Sequence, residues 1–282
     1  VAVFTPIALD HTERLGDTLG AIATTKSGII KPGSRVIIGH QTDEALKVLV
    51  EKAGKIADNT YLFESDFSVL GVETASGAQR FSVRGLASDY EDLLMPVLGD
   101  FQAENAAVAI AAIEAFFGDD PKPITRDVLR AALADVSSPG RMQIIDRSPL
   151  TILDAAHNPA GISVLVGELR RLYPEVSVHA VVGVLAEKDA AEIMQLLAPT
   201  VKTLTLTATS SPRALPVETL NGYAEAHLNP QNLHAAESVA EAFDRARGLA
   251  LGDPSSLVLV TGSISLVADV LKLQSENEDD DA

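Results

Sequence analysis

From residue 142 to residue 273 the chain repeats one pattern. A short, continuous apolar run is followed by a longer stretch with apolar residues at helical spacing. The apolar runs fall at 142–146, 151–154, 178–184, 202–207, 232–235 and 257–261, and the amphipathic stretches at 159–173, 188–198, 216–227, 237–250 and 263–273. A strand that is apolar on both faces must be covered on both, and helices returning between successive strands supply that cover. The repeat therefore predicts a mostly parallel sheet between helical layers, an α/β fold. Ligands of such sheets bind beyond the carboxyl ends of the strands. Asp154 to His157, Gly183 to Asp189, Thr207 to Arg213 and Thr261 to Ser263 each follow a predicted strand. Four candidate loops are thus expected on one edge.

The first half is less regular. Residues 1–8 read as a strand ending at Leu9-Asp10-His11, and residues 17–31 as a short helix running into a turn at Lys31-Pro32-Gly33. A buried strand follows at Val36-Ile37-Ile38, then a helix over 43–56 that Asp43 is placed to start. Residues 61–90 form short runs broken by Gly71, Gly77 and Gly85, which predicts small antiparallel strands. Residues 101–117 are Ala-rich and helical in spacing, and small side chains let such a helix lie close to a sheet. Ser137-Ser138-Pro139-Gly140 is a turn or linker signal and marks the expected boundary between a domain over 1–137 and one over 138–274. Residues 275–282, rich in Asp and Glu, are expected to be a solvated, disordered tail.

A chain of 282 residues allows about two domains. Its 46% hydrophobic content is ample for a buried core. The net charge of −17 argues against a nucleic-acid partner, because neutralising phosphates needs clustered Lys and Arg. With no cysteine there is neither a disulfide framework nor a thiolate metal site, which fits a cytoplasmic protein. No apolar run reaches the roughly 18 residues of a membrane span. The start, V-A-V-F-T-P-I, has no basic leader and reads like a buried strand entered midway.

Several residues could carry chemistry, each with a plainer alternative. His11, beside Asp10 at a strand end, could bind a metal or phosphate, or the two could simply cap the strand. Lys26, in T-T-K-S-G, could be an amine of lowered proton affinity, a nucleophile or a carbamate, or an ordinary solvated helix lysine. Gln102, Glu104 and Asn105 open a helix whose start favours anions and whose amides could read an adenine edge, while Asp100 serves as a cap. Arg141 could hold a phosphate bidentately or be a free surface arginine. Asp154 at a strand end suits a ribose diol and His157 a phosphate, although Asn158 and Pro159 read as an ordinary helix start. Lys188 and Arg213, two cations on one rim, could hold a dicarboxylate amino acid or be surface charge. His40, His179, His227 and His234 have no partner pattern and read as structural. There is no Ser/His/Asp order, HExxH or G-x-G-x-x-G.

The order of motifs is more specific than any one of them. L-D-H at 9–11, I-A-T-T-K-S-G-I-I-K-P-G at 22–33, L-G-D-F-Q-A-E-N-A-A at 98–107, S-P-G-R-M-Q at 138–143, D-A-A-H-N-P at 154–159 and T-G-S at 261–263 follow one another. Over nearly the whole chain this resembles the folylpolyglutamate synthase family, including its bifunctional dihydrofolate synthase members, within the Mur ligase superfamily. The resemblance implies a central, P-loop-like ATP-binding domain followed by a Rossmann-like C-terminal domain. It implies a ligase that uses ATP and Mg²⁺ to activate a folate or pteroate carboxylate as an acyl phosphate, which the amine of L-glutamate then attacks. Small molecules would be its partners, with neither nucleic acid nor membrane involved, and it would be a cytoplasmic monomer.

By matching motif, His11 is a Mg²⁺ ligand and Lys26 the lysine that becomes carbamylated to help place the metal. Gln102 and Asn105 are ATP contacts, Arg141 the arginine at the phosphates, Asp154 a ribose contact and His157 a nearby nucleotide contact. Lys188, Arg213 and Ser263 fall where the superfamily handles the incoming amino acid. The sequence departs from the family in one large respect: no G-x-x-x-x-G-K-S/T phosphate loop occurs in the 282 residues. The chain is therefore expected to be the later part of a longer ligase and to be inactive by itself. A peptidoglycan-type Mur ligase and a non-catalytic nucleotide-binding remnant are the other readings.

Overall fold

A computed structural model describes residues 1–10, 12–75, 77–117 and 120–280. The chain divides into two compact units, Val1–Ser137 and Ser138–Ala282.

The first unit begins with β1 (Ala2–Phe4), α1 (Thr12–Leu15) and α2 (Leu19–Lys26), the last tightening into a 3₁₀ turn at Ser27–Ile29. Next come β2 (Arg35–Ile38), α3 (Asp43–Ile56) and β3 (Asn59–Leu62). The three strands form a parallel sheet in the order β1-β2-β3, with Ala2 opposite Val36 and Val36 opposite Thr60. Alternation sets its faces. Ala2, Phe4, Val36 and Ile38 pack with Ile22, Ala23, Ala45 and Leu49 of α2 and α3, whereas Ile37 joins a second core on the other side.

That second core belongs to an antiparallel meander, β4 (Ser68–Ala75), β5 (Ala78–Arg84) and β6 (Asp89–Met95), and to α4 (Asp100–Phe116) and α5 (Arg126–Ala134). The meander matches the expectation for most of 61–90, but residues 59–62 do not take part in it. They pair in parallel with β2, and the change of direction is made at 63–66, where Asp66 Oδ2 accepts from Leu62 N and Glu64 adopts φ +68°. The far end of α4 is anchored by buried Glu114, whose carboxylate accepts from Leu86 N at 2.5 Å and from the Tyr90 hydroxyl at 2.7 Å. Burial, and then that bond to Glu114, push the Tyr90 hydroxyl pKa up to about 12.

The second unit follows the repeat closely. Its elements are β7 (Gln143–Arg147), β8 (Leu150–Leu153), α6 (Pro159–Leu172), β9 (Ser177–Val182), α7 (Ala190–Leu197), β10 (Val201–Leu206), α8 (Val217–Ala224), β11 (Leu233–Ala235), α9 (Val239–Leu251), β12 (Ser256–Thr261) and α10 (Ile264–Asp280). The sheet runs β11-β10-β9-β12-β8-β7, parallel throughout except for β7, which lies antiparallel to β8. Leu153, Val181, Val258 and Val260 pack under α9 and α10.

Residues 275–280 continue α10. Buried Leu266, Val267 and Val270 seat the helix, and an i,i+4 ion pair between Lys272 and Glu276 at 3.7 Å lies on its exposed continuation.

Candidate functional site

In the second unit, parallel pairing of β10, β9, β12 and β8 puts their carboxyl ends side by side on one edge. The four loops expected there are neighbours, and backbone bonds stitch them together. Gly262 N donates to Ala156 O at 3.0 Å and Thr207 N to Val182 O at 3.1 Å. Two glycines permit the closeness. A Cβ on Gly183 would come within 2.9 Å of Thr207 O, and one on Gly262, already at φ +106°, would come within 2.9 Å of Gly183 O.

Asp154 stands at the end of β8 and is only 5% exposed. Its Oδ1 accepts from Ala156 N at 2.8 Å and its Oδ2 from Met142 N at 2.9 Å. Burial raises its pKa, opposed by those two N–H groups and by the charges of Arg141 and His157. Arg141 is exposed, on a turn whose flanking residues Gly140 and Met142 have φ of +67° and +45°. Gly140 O accepts from Ala155 N at 2.7 Å, so the turn is laid directly on the D-A-A-H segment. His157 Nδ1 lies 2.9 Å from Ala155 O. Ala155 O can only accept, so Nδ1 carries a proton and donates in that bond. Asn158 caps α6 through Gly161 N at 2.8 Å, with Pro159 in the first turn. Arg141, Asp154 and His157, three motif residues from two separate motifs, are thereby gathered at one strand end.

The loop after β9 and the loop after β10 are also pinned together, by Ala186 N to Arg213 O at 2.9 Å and Leu215 N to Val184 O at 2.9 Å. Lys188 is half-buried on the first of them. Arg213, exposed on the second, is ion-paired with Glu187, so a carboxylate already shares its charge. Ser263 is buried, and its Oγ accepts from Leu266 N at 3.1 Å as the cap of α10.

In the first unit Gln102 lies in the opening turn of α4, buried, and its Nε2 has no hydrogen-bond partner among the described residues. Asn105 is exposed one turn further on. Lys26 ends α2 and is exposed. His11 lies outside the described residues. Among the described residues no group of three or more His, Asp or Glu side chains could hold a metal.

Two supporting residues escaped the sequence reading. Gln79, fully buried on β5, donates from Nε2 to Val97 O at 2.8 Å and to Gly99 O at 2.9 Å. It fixes the loop that leads into α4. The signal was a polar residue on the inward side of a strand, in step with Phe81 and Val83. Gln143 holds the Arg141 turn from its other end, its Oε1 accepting from Gly140 N at 2.9 Å.

Two family models match the chain: "Mur ligase middle domain" over residues 1–113 and "Mur ligase, glutamate ligase domain" over residues 140–264. The dihydrofolate synthase/folylpolyglutamate synthase of Mycobacterium tuberculosis is 35% identical across 94% of the chain. The chain spans 58% of that relative's length. Among solved structures, Mycobacterium tuberculosis folylpolyglutamate synthase complexed with ADP superposes with a TM-score of 0.89 at 35% identity, covering 96% of this chain and 62% of that one. Escherichia coli FolC in complex with DHPP and ADP gives 0.84 at 28% identity, covering 98% and 62%.

Proposed function

The chain belongs to the Mur ligase superfamily, on the branch of the folylpolyglutamate and dihydrofolate synthases, and from that premise we propose that it serves the ATP-dependent ligation of L-glutamate to folates. The observation that carries this reading is the gathering of Arg141, Asp154 and His157 at the end of β8, in a chain so similar to an ADP-bound synthase.

In the proposed reaction a folate or pteroate carboxylate oxygen attacks the γ-phosphorus of ATP. The bond to the β-phosphate oxygen breaks, ADP leaves and an acyl phosphate forms. The glutamate amine then attacks the acyl carbon, phosphate departs with its oxygen, and the amine gives up a proton. Phosphoryl transfer of this kind depends mainly on positioning and on stabilising charge.

Asp154 would accept from the ribose with the lone pairs its two backbone bonds leave over. Arg141 would face phosphate oxygens, and His157 would bind the nucleotide close by. Gln102, whose buried Nε2 has no hydrogen-bond partner among the described residues, would donate to ATP, with Asn105 one turn away on the same helix face. Lys188, Arg213 and Ser263 would receive glutamate. Of these three, Arg213 is shared with Glu187 and the Ser263 oxygen already caps α10.

Mg²⁺ is the metal such chemistry takes, to offset charge on the transferring oxygens. Magnesium prefers oxygen ligands, so Lys26 does not fit as a free amine and would fit as its carbamate; His11 is the other proposed ligand. The reading also takes the protein to be a cytoplasmic monomer. No helix among the described residues is long and apolar enough to cross a membrane.

The test is titration of the chain with a non-hydrolysable ATP analogue, followed by amide hydrogen exchange. Slowed exchange across 154–158 supports the reading. Saturating analogue that protects nothing there overturns it.

A further inference from the structure

We propose that Asp154 is a positioning residue for Arg141: its carboxylate clamps the Gly140–Met142 turn onto the end of β8 and so fixes where the guanidinium sits. The inference rests on the nucleotide-site reading above and assigns Asp154 a second task within it.

The clamp is visible in its bonds. Asp154 Oδ2 accepts from Met142 N at 2.9 Å, while Oδ1 accepts from Ala156 N at 2.8 Å. One buried side chain thus holds both the residue after Arg141 and its own loop. Ala155 N to Gly140 O at 2.7 Å fixes the residue before Arg141. Arg141 N donates to Ser138 O at 3.1 Å, closing the turn itself. Gly140 and Met142 both have positive φ, a conformation a non-glycine residue holds only when its surroundings impose it. For Met142 the imposing partner is the Asp154 carboxylate, a charged acceptor and so a strong one. Burial supports the same assignment: Met142 is 1% exposed and Asp154 5%, so water does not replace the bond if it is lost. Arg141, by contrast, is exposed.

Asp154→Asn separates the two tasks. Asparagine has the same shape but only one accepting oxygen, so it satisfies Met142 N or Ala156 N and sets an NH₂ group against the other. If Asp154 touched only the ribose, adenosine, ADP and ATP would all weaken by one common factor. If it positions Arg141, the loss grows with the phosphates, and ATP is expected to lose about tenfold more affinity than adenosine, the scale of one charge-assisted hydrogen bond. Arg141→Ala should cost ATP about tenfold in the wild-type chain and less than about threefold in the Asp154→Asn background, because coupled residues are not additive.

Gln143→Leu loosens the same turn from Gly140 N without touching Asp154, and should give the same phosphate-dependent loss. This second variant guards against a folding defect in the first. Amide exchange at Met142 in the nucleotide-free chain reads the clamp directly, and Asp154→Asn should speed it by about tenfold or more.

An equal loss for adenosine and ATP, additive effects of the two substitutions, or unchanged exchange at Met142 would each overturn the inference. If Met142 exchange accelerates while the wild-type chain binds no adenine nucleotide, the nucleotide-site reading has failed and the role assigned to Arg141 falls with it. The clamp would then stand as a fold device only.

Discussion

His179 carries a sharp residue-scale prediction because it is buried and hydrogen-bonded at the same time. It lies on β9, 2% exposed, with Nδ1 2.8 Å from Thr203 Oγ1. Burial is the main cause that lowers its pKa, the charge of Lys202 adds to it, and Asp253 works weakly the other way. The folded protein therefore keeps this ring neutral at pH values where an unfolded chain would protonate it. Above about pH 6.5 both states are neutral and the residue contributes no pH dependence. Below that, the unfolded state binds the proton first, so stability falls as pH falls. His234, lowered by burial and by Arg245, acts in the same direction. His179→Gln keeps a hydrogen-bonding group for Thr203 but cannot titrate. Urea midpoints measured from pH 7.5 down to pH 5 should fall less steeply in the variant, with the remaining slope including that of His234. Parallel profiles for wild type and variant would show that His179 is not the group responsible.

At the scale of elements, the edge of the larger sheet is built by exclusion as much as by attraction. The loops after β9, β10 and β12 approach so closely that Gly183 and Gly262 have no room for a Cβ. Gly183→Ala should cost about 1–3 kcal/mol, the range for forcing a group into a packed site. Because the carbonyl it would strike belongs to Thr207, the β10 loop should shift and nucleotide affinity should drop along with the melting temperature. Gly167→Ala, on a helix and in open space, is the control and should leave both unchanged or slightly improved. This closeness was not legible in the sequence, where Gly183 and Gly262 look like ordinary loop glycines. The elements themselves were legible. Continuous apolar runs such as Leu257 to Val260 can only be central strands, and the parallel sheet follows from them. What failed was local. Residues 59–62 resemble the meander strands in composition, and only pairing with β2 separates them. The continuation of α10 through its acidic end is not legible in composition, because the apolar face that seats the helix lies upstream.

For the whole molecule, residue identity outran residue placement. D-A-A-H-N-P and S-P-G-R-M-Q single out Asp154 and Arg141 through the resemblance to the family, but neither motif indicates that Asp154 holds Met142 N or that Gln79 sets the start of α4. Those are long-range bonds between motifs, and a linear pattern does not carry them. The same division bears on activity. The residues proposed to meet the nucleotide, Gln102, Asn105, Arg141, Asp154 and His157, are all within the 282 residues, whereas no G-x-x-x-x-G-K-S/T run is present to wrap phosphates in backbone N–H groups. Adenosine recognition and phosphoryl transfer should therefore separate in this polypeptide. Adenosine and ADP should bind with affinities within about tenfold of each other, since the term that would set them apart is only the Arg141 contact. A coupled assay with a folate, L-glutamate, ATP and Mg²⁺ should release no ADP above the rate without glutamate. Glutamate-dependent release from the purified chain would mean that phosphate binding resides in residues to which no such role has been given, and the separation of adenosine recognition from phosphoryl transfer would have to be abandoned.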